Sequence, residues 1–484
     1  MLKYFWQSRS GVWHLILILS LLQIAITFLT YHSLLSFDEA IWQYIGRNWF
    51  RHGLVPYAGG VDNKLPLIFA VYGFSDLLFG LNFWFPRILA IVCQSVGIYF
   101  VFRIAKHVAG TQGGMIAVIL YGLSLMWRTT DGKWVSSTQT YEITFLIISI
   151  YLLLTAQQRR RFFIGGCMAG IALAFKFTAG FTILAILISI IQRRTIKSSM
   201  VFLSGVLTSL FSFVILFLLL GIKLPDMISY AFFDNFTPGS ITDHPLNWKI
   251  EQFANAFFYS ELILFYPFII AYFIIKPKKQ SILLLWLIGS FISVAIIGMY
   301  ARSHLKELLP SLSVMSAIAI HHAITRYNIP LRPIILIIAI TFFPKTFEPL
   351  VGLKRVLFGM NIKKEFCREP FTEDEDSKRS LGLWIRSNTR PNDLVFVAGF
   401  GAQIQAYSCR LSPSIYFNVT QTPLAKKRLF SDLSQNKPAL IIVPLFQSYA
   451  KGVDADIRQY VSDVIAADYS LERCLYSYNI YRRR

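Results

Sequence analysis

Charge is scarce in this chain, and acid scarcest of all. Only 15% of its 484 residues are charged, with 26 Asp and Glu against 47 Lys and Arg. Together with a mean hydropathy of +0.52, this excludes an ordinary water-soluble globular protein, in which about a quarter of residues carry charge. Cysteine is sparse as well. The five cysteines show no metal-type spacing, which argues against a structural zinc or thiolate-cluster protein. Repeats of the soluble kind and low-complexity tracts are also missing, and with them the solenoid and disordered classes.

What the chain does have is apolar sequence in runs of membrane-spanning length over its first 350 or so residues. They predict eleven spans, near 12–32, 84–106, 111–128, 139–157, 162–177, 178–192, 200–221, 260–275, 281–300, 305–325 and 332–347. The fifth and sixth are short and also fit a re-entrant hairpin. With a cytoplasmic N-terminus, alternate loops carry Lys3 and Arg9; Arg103 and Lys106; Arg159, Arg160 and Arg161; Arg193, Arg194 and Lys197; Lys276, Lys278 and Lys279; Arg326 and Arg332. None of these loops carries an acid, which is the positive-inside pattern. An odd number of spans then places the C-terminal region outside the cell membrane. The net charge of +21 follows from topology and anionic lipid, and calls for no nucleic-acid partner. The first span is long for a signal-peptide core and lacks a small-residue cleavage site, so it is expected to be a retained anchor.

Composition changes after about residue 350. A charged stretch over 361–380 precedes the pattern of a small α/β unit: helix over 378–388, buried strand over 394–400, helix over 425–436, strand over 439–446, helix over 453–466 and a last strand over 474–482. The expected domains are therefore a transmembrane domain, 1–350, whose first exterior loop is 33–83, and an exterior α/β domain, 351–484. Cys93 and Cys167 fall in spans; Cys367, Cys409 and Cys474 fall outside, where one pair could oxidise. Gly399 and Gly401 read as a tight strand-to-helix turn rather than a phosphate loop. Asn235-Phe-Thr237 and Asn418-Val-Thr420 fit the glycosylation tripeptide, a pattern common by chance.

The most informative stretch is 36–66, SFDEAIWQYIGRNWFRHGLVPYAGGVDNKLP. Ser36 and Glu39 have capping-box spacing at the start of a helix. Ile41, Trp42, Ile45 and Trp49 recur along it with Gln43, Arg47 and Arg51 between, as in a helix lying in the bilayer interface. Asp38 would sit in the first turn, where the helix dipole favours a carboxylate. Such a group can accept a hydroxyl proton or hold a divalent cation; from the residues alone, plain capping stands level with this. Lys64 follows Asp62 and Asn63 in a turn before Pro66. It can pair with a lipid-borne phosphate as a point charge or simply reach for headgroups. Arg302, His304, Lys306 and Glu307 lie at the outer edge between the ninth and tenth spans, where basic groups would face Lys64 across one cavity. Asp62, Asp131 and Glu142 are further acids of interest, and Lys176 is a deep cation that needs an anionic partner.

These motifs resemble the GT-C superfamily of integral-membrane glycosyltransferases. The resemblance is nearest to the protein O-mannosyltransferases and the bacterial transferases that add aminoarabinose or other sugars to lipid A and related glycans. It rests on Phe37-Asp38-Glu39, Gly53 to Tyr57, Asp62 to Pro66, Phe79-Gly80, Pro86-Arg87, Ala174 to Lys176, Ser303-His304 through Pro310, and the segment from Thr389 to Arg410. Two positions depart from the family pattern: Leu65 stands where a proline is frequent, and Leu305 follows His304 where a tyrosine is frequent. The resemblance implies an α-helical polytopic membrane protein of GT-C type. It also implies inverting transfer of a sugar from a polyprenyl-phosphate donor to a hydroxyl of a glycan, lipid or protein acceptor on the exterior face. Asp38 would act as base or position the acceptor, with Glu39 in support and a divalent cation as an optional cofactor. Lys64, Arg302 and His304 would hold the donor phosphate. The competing class is a transporter or flippase for a lipid-linked sugar, although matching halves and a midplane site are not evident in the sequence.

Overall fold

Each of the eleven apolar runs overlaps a helix in the computed structural model, which describes residues 9–31, 35–130, 135–240, 242–275, 280–347, 375–418, 423–446 and 453–484. Among the described residues, four helical stretches are long and apolar enough to cross a membrane: Gly11–Phe28, Trp84–Ser124, Ile196–Leu219 and Arg302–Tyr327. The bent pair Leu246–Phe257 and Glu261–Ile275 makes a fifth if taken as one span. The other apolar helices, such as Thr138–Leu154 and Ser281–Ala295, are shorter. Trp84–Ser124 contains the expected span 84–106 and most of 111–128. Its helical geometry breaks at Ala109 and at Gly110, whose φ of 69° suits a residue without a Cβ. The expected gap between 106 and 111 falls on this break.

The chain forms two compact units. The first comprises Met1–His32, Arg87–Ile215 and His244–Gly359; the second comprises Ser33–Pro86, Leu216–Asp243 and Met360–Arg484. The first loop and the C-terminal region, separate in the sequence-based division, thus fall within one unit. The core of the first unit is a continuous apolar cluster drawn from its helices, including Ile147, Trp127, Leu283, Phe265 and Met315.

In the second unit, helix Phe37–His52 opens with the expected capping box. The Ser36 hydroxyl accepts from the Glu39 N–H at 3.2 Å, and a Glu39 carboxylate oxygen accepts from the Ser36 N–H at 2.9 Å. Both N-terminal donors are thereby satisfied. The expected interfacial face is not left open to lipid. Ile41, Trp42 and Ile45 are at most 2% exposed, covered by protein. Gln43, Arg47 and Arg51 all converge on buried Asp76 of helix Pro66–Phe79. The two helices meet main chain to main chain: a Cβ on Gly46 would lie 2.4 Å from the Phe69 carbonyl oxygen and 2.5 Å from the Gly73 nitrogen.

The C-terminal part of this unit carries a four-stranded sheet of order β1-β2-β4-β3, with β1 Val395–Val397, β2 Leu440–Pro444, β3 Tyr469–Leu475 and β4 Tyr478–Arg483. β1 and β2 are parallel and the other pairs antiparallel. Leu381, Ile385, Val395, Val397, Leu440, Ile442 and Ile480 pack its core. The single strand expected over 474–482 is a hairpin instead, reversing at Tyr476 and Ser477, both with positive φ. Gly399 and Gly401 form the turn between β1 and the short helix Ala402–Ser408. That helix is tied to the start of the first loop: the Tyr407 hydroxyl accepts from the Leu35 N–H at 2.8 Å, and Gln403 donates to the Leu35 carbonyl at 3.2 Å. Cys474 is disulfide-bonded, Cys409 is a free thiol, and Cys367 lies outside the described residues.

Candidate functional site

The turn before helix Pro66–Phe79 is built by its own hydrogen bonds. Tyr57, at φ 71°, donates its hydroxyl to the Lys64 carbonyl at 2.6 Å. The Lys64 ammonium donates to the side-chain oxygen of Asn63. The Asn63 amide donates to the side-chain oxygen of Asn235 at 2.8 Å, and Asn235 donates to the Ala231 carbonyl at 3.1 Å. Lys64 is half-buried and sits at the head of this relay. Asn235 itself is buried and spent in the relay, which removes it as a glycosylation acceptor.

The same hydrogen bond sets two Asp-Asn dipeptides side by side, Asp62-Asn63 and Asp234-Asn235. Asp62 is 2% exposed and accepts from the Trp42 indole N–H at 3.0 Å. Asp234 is 1% exposed and accepts from the Leu424 N–H at 3.1 Å, while its second oxygen has no hydrogen-bond partner among the described residues. Burial pushes the Asp234 carboxyl up to about 6, the Leu424 N–H opposes the rise and the charge of Asp62 adds to it. Asp234 was not singled out from the sequence. Its one legible signal was an acid flanked by Asn235 in an aromatic turn, and the partner that gives it meaning lies far away in the chain.

Asp38 is exposed in the first turn of its helix, and Glu39 beneath it is 1% exposed, with its carboxylate committed to the cap. Glu39 therefore fixes the first turn, and with it the position of Asp38. Asp131 lies outside the described residues.

The first unit holds a second group of charges. Lys176 ends helix Arg159–Phe175 in extended backbone, before helix Ala179–Arg193 begins. Its ammonium donates to one carboxylate oxygen of Glu307, and the Ser293 hydroxyl donates to the other. The anionic partner expected for Lys176 is thus Glu307. Both residues are at most 5% exposed. Glu142 is fully buried near this pair, and neither of its oxygens has a hydrogen-bond partner among the described residues. A carboxyl buried that way is costly and rare in a native protein. Glu307 belongs to the 3-10 turn Arg302–Leu308, which follows Tyr300 at φ 47° and leads into helix Leu309–Tyr327. The ion pair therefore anchors the segment that presents Arg302, which is exposed, and His304, which is half-buried. Arg302 lines a cavity of about 690 Å³ together with Arg128 and Lys345. Lys64 lies in the second unit, Arg302 and His304 in the first.

Residues 63–217 match the family model for dolichyl-phosphate-mannose-protein mannosyltransferase. Comparison with curated proteins returns no match. Among solved structures, the chain is similar to ArnT from Cupriavidus metallidurans bound to undecaprenyl phosphate, with a TM-score of 0.67, 13% identity and 98% of each chain covered. It is similar to the Archaeoglobus fulgidus oligosaccharyltransferase in complex with zinc and sulfate, with a TM-score of 0.56 and 11% identity over 96% of this chain and 72% of that one. Mycobacterial arabinofuranosyltransferase AftD gives a TM-score of 0.51 at 11% identity, over 98% of this chain and 41% of its own. The chain shares its fold with these three structures, in line with the polytopic helical architecture expected from the resemblance to the GT-C superfamily.

Proposed function

We propose that the protein is a membrane glycosyltransferase that moves a sugar from a polyprenyl-phosphate donor to an acceptor hydroxyl on the exterior face, with inversion. The observation that carries this is Lys64, a lysine held by the Tyr57–Asn63–Asn235 relay beside the buried acids Asp62 and Asp234. A lysine that only snorkelled would need no such scaffold. The fold shared with ArnT, whose structure was solved with undecaprenyl phosphate, supports a lipid-phosphate donor. The disulfide at Cys474 fits a C-terminal region on the oxidising side of the membrane.

In this mechanism the acceptor oxygen attacks the anomeric carbon as the bond to the donor phosphate breaks. The bonding pair leaves with the phosphate, and the acceptor proton passes to Asp38, which Glu39 holds in place. Lys64 stabilises the charge growing on the leaving phosphate, an interaction worth far more in a dry pocket than in water. Arg302 and His304 of the first unit are the other basic groups assigned to that phosphate. Asp62 and Glu142 are the acids proposed to orient the acceptor. Among the described residues no group of three or more His, Cys, Asp or Glu gathers as a metal site.

The test is product analysis with purified protein, a labelled polyprenyl-phosphate sugar and glycan, lipid and peptide acceptors. Formation of a new glycosidic product supports transfer. Movement of the donor across vesicles without product would make the protein a flippase.

A further inference from the structure

The segment from Thr389 to Arg410 carries part of the resemblance but has no task in the transfer outlined above. Within it, helix Ala402–Ser408 is buried along its whole length. Gln403 and Tyr407 stand four residues apart, so one face of this helix presents both side chains. They grip the two main-chain groups of a single residue, Leu35. Its N–H donates to the Tyr407 hydroxyl at 2.8 Å, and its carbonyl accepts from the Gln403 amide at 3.2 Å. Leu35 and Gln403 are 1% exposed and Tyr407 6%, so both bonds are made away from water. Leu35 comes just ahead of helix Phe37–His52 and its cap Ser36. A buried N–H and carbonyl in that position have to be satisfied from outside the helix.

The gripping helix is itself firmly backed. The Gln405 amide donates to the Val395 carbonyl of β1 at 2.7 Å. From another side, helix Glu375–Asn388 approaches at Gly382, where a Cβ would lie 2.6 Å from the Tyr407 Cβ and 2.9 Å from the Ile404 carbonyl oxygen. Phe400, in the turn before the gripping helix, meets Phe37 edge to face with ring centroids 6.3 Å apart. All these segments belong to the second unit.

Three residues beyond Leu35 comes Asp38. The capping box sets the shape of the first turn, but it travels with the chain. Where that turn stands is set by the hold on Leu35, while later turns are held by helix Pro66–Phe79 at Gly46 and through Asp76. We infer that Gln403 and Tyr407 are positioning residues for Asp38: by fixing both main-chain groups of Leu35 they set where its carboxylate meets the acceptor hydroxyl. The C-terminal α/β region is thereby a working part of the transfer site. The inference rests on the role proposed for Asp38; the hydrogen bonds do not. An error of about 1 Å in placing a reacting group can cost roughly 100-fold in rate.

Tyr407→Phe and Gln403→Met, made singly and together, remove the two bonds with little change in side-chain volume. Tyr44→Phe is the control. The Tyr44 hydroxyl accepts from the Ser412 N–H at 2.8 Å, so this variant breaks a bond of the same kind between the same helix and the C-terminal region, beyond the first turn. Each purified full chain is read by kcat and KM for transfer, by amide hydrogen exchange over residues 35–41 and by thermal unfolding. The double variant is expected to lose roughly tenfold or more in kcat, with KM for donor and acceptor within about twofold of wild type. Exchange should quicken at residues 35–39, and Tyr44→Phe should keep its kcat at a comparable fall in unfolding midpoint. Unchanged exchange, or faster exchange with wild-type kcat, overturns the inference. So does an equal loss of kcat in Tyr44→Phe at the same midpoint, the mark of a purely structural role. Failure of the proposed function is seen differently: wild type forms no glycosidic product while exchange, which needs no turnover, still responds to the double variant, and the role of Asp38 falls with it.

Discussion

Asn63 and Asn235 are joined amide to amide at 2.8 Å across 172 positions of sequence. Each is also engaged on its other side, Asn63 by Lys64 and Asn235 by the Ala231 carbonyl. Asn235→Ala would leave the Asn63 N–H group without its acceptor. The expected cost is about 1–2 kcal/mol of stability, read by thermal unfolding in detergent. A larger effect is expected on transfer rate, since Lys64 loses the support of its anchor. A rate equal to wild type would show that the relay does not position Lys64.

Asp38→Asn and Lys64→Ala are each expected to lower transfer by about 100-fold or more while the protein remains folded in the membrane. Asp38 is exposed and Lys64 half-buried, so neither side chain is a pillar of the core. Near-normal turnover in either variant removes that residue from the mechanism.

The Lys176–Glu307 pair is buried, and Ser293 completes the coordination of its carboxylate. Lys176→Met would strand the Glu307 charge, and Glu307→Ala would strand the ammonium. Either loss is expected to cost about 3–5 kcal/mol. Glu307→Gln keeps an acceptor for Lys176 and should be markedly milder. Equal midpoints of unfolding for the Ala and Gln variants would rule out this ranking.

Asp234 gives a pH dependence with a definite sign. Its carboxyl is raised from 3.8 to about 6 in the folded protein, so the folded state holds the proton more tightly than the unfolded chain. Its contribution to stability is full below about 3.8, falls as pH rises towards 6, and is constant above. Asp234→Asn should flatten that part of the profile. Thermal unfolding between pH 4 and pH 7 checks it, and a mutant profile as steep as wild type would count against the assignment.

Span length was enough to locate a helix under each of the eleven apolar runs, and capping chemistry the start of Phe37–His52, because these signals are local; the shorter apolar helix Pro66–Phe79 and helix Leu246–Phe257 were not among the expected spans. The break at Gly110 was legible for the same reason: a loop-forming glycine between two apolar runs. Helix Ala402–Ser408 was implied by the strand-to-helix turn at Gly399 and Gly401, but its bounds were not legible because seven residues that are all buried show no amphipathic period. The hairpin at Tyr476 and Ser477 was missed because neither residue is the glycine or asparagine that usually marks a turn with positive φ. The covering of Trp42 and Ile45 by protein rather than lipid could not be read either, since both burials favour the same side chains. Lys176 announced that it needed an anion, but choosing Glu307 required knowing which turn reaches it. Asp234 beside Asp62 is likewise a matter of tertiary proximity.

Where Gly46 meets Gly73, backbone touches backbone between the two helices. Side chains can rotate to absorb a sliding movement; backbones in direct touch cannot, so these helices must travel as one rigid bar. The segment that bears Lys64 is strung between them, and it therefore behaves as a fixed post. In the proposed transfer, whatever movement admits the acceptor has to be made by the walls around that post.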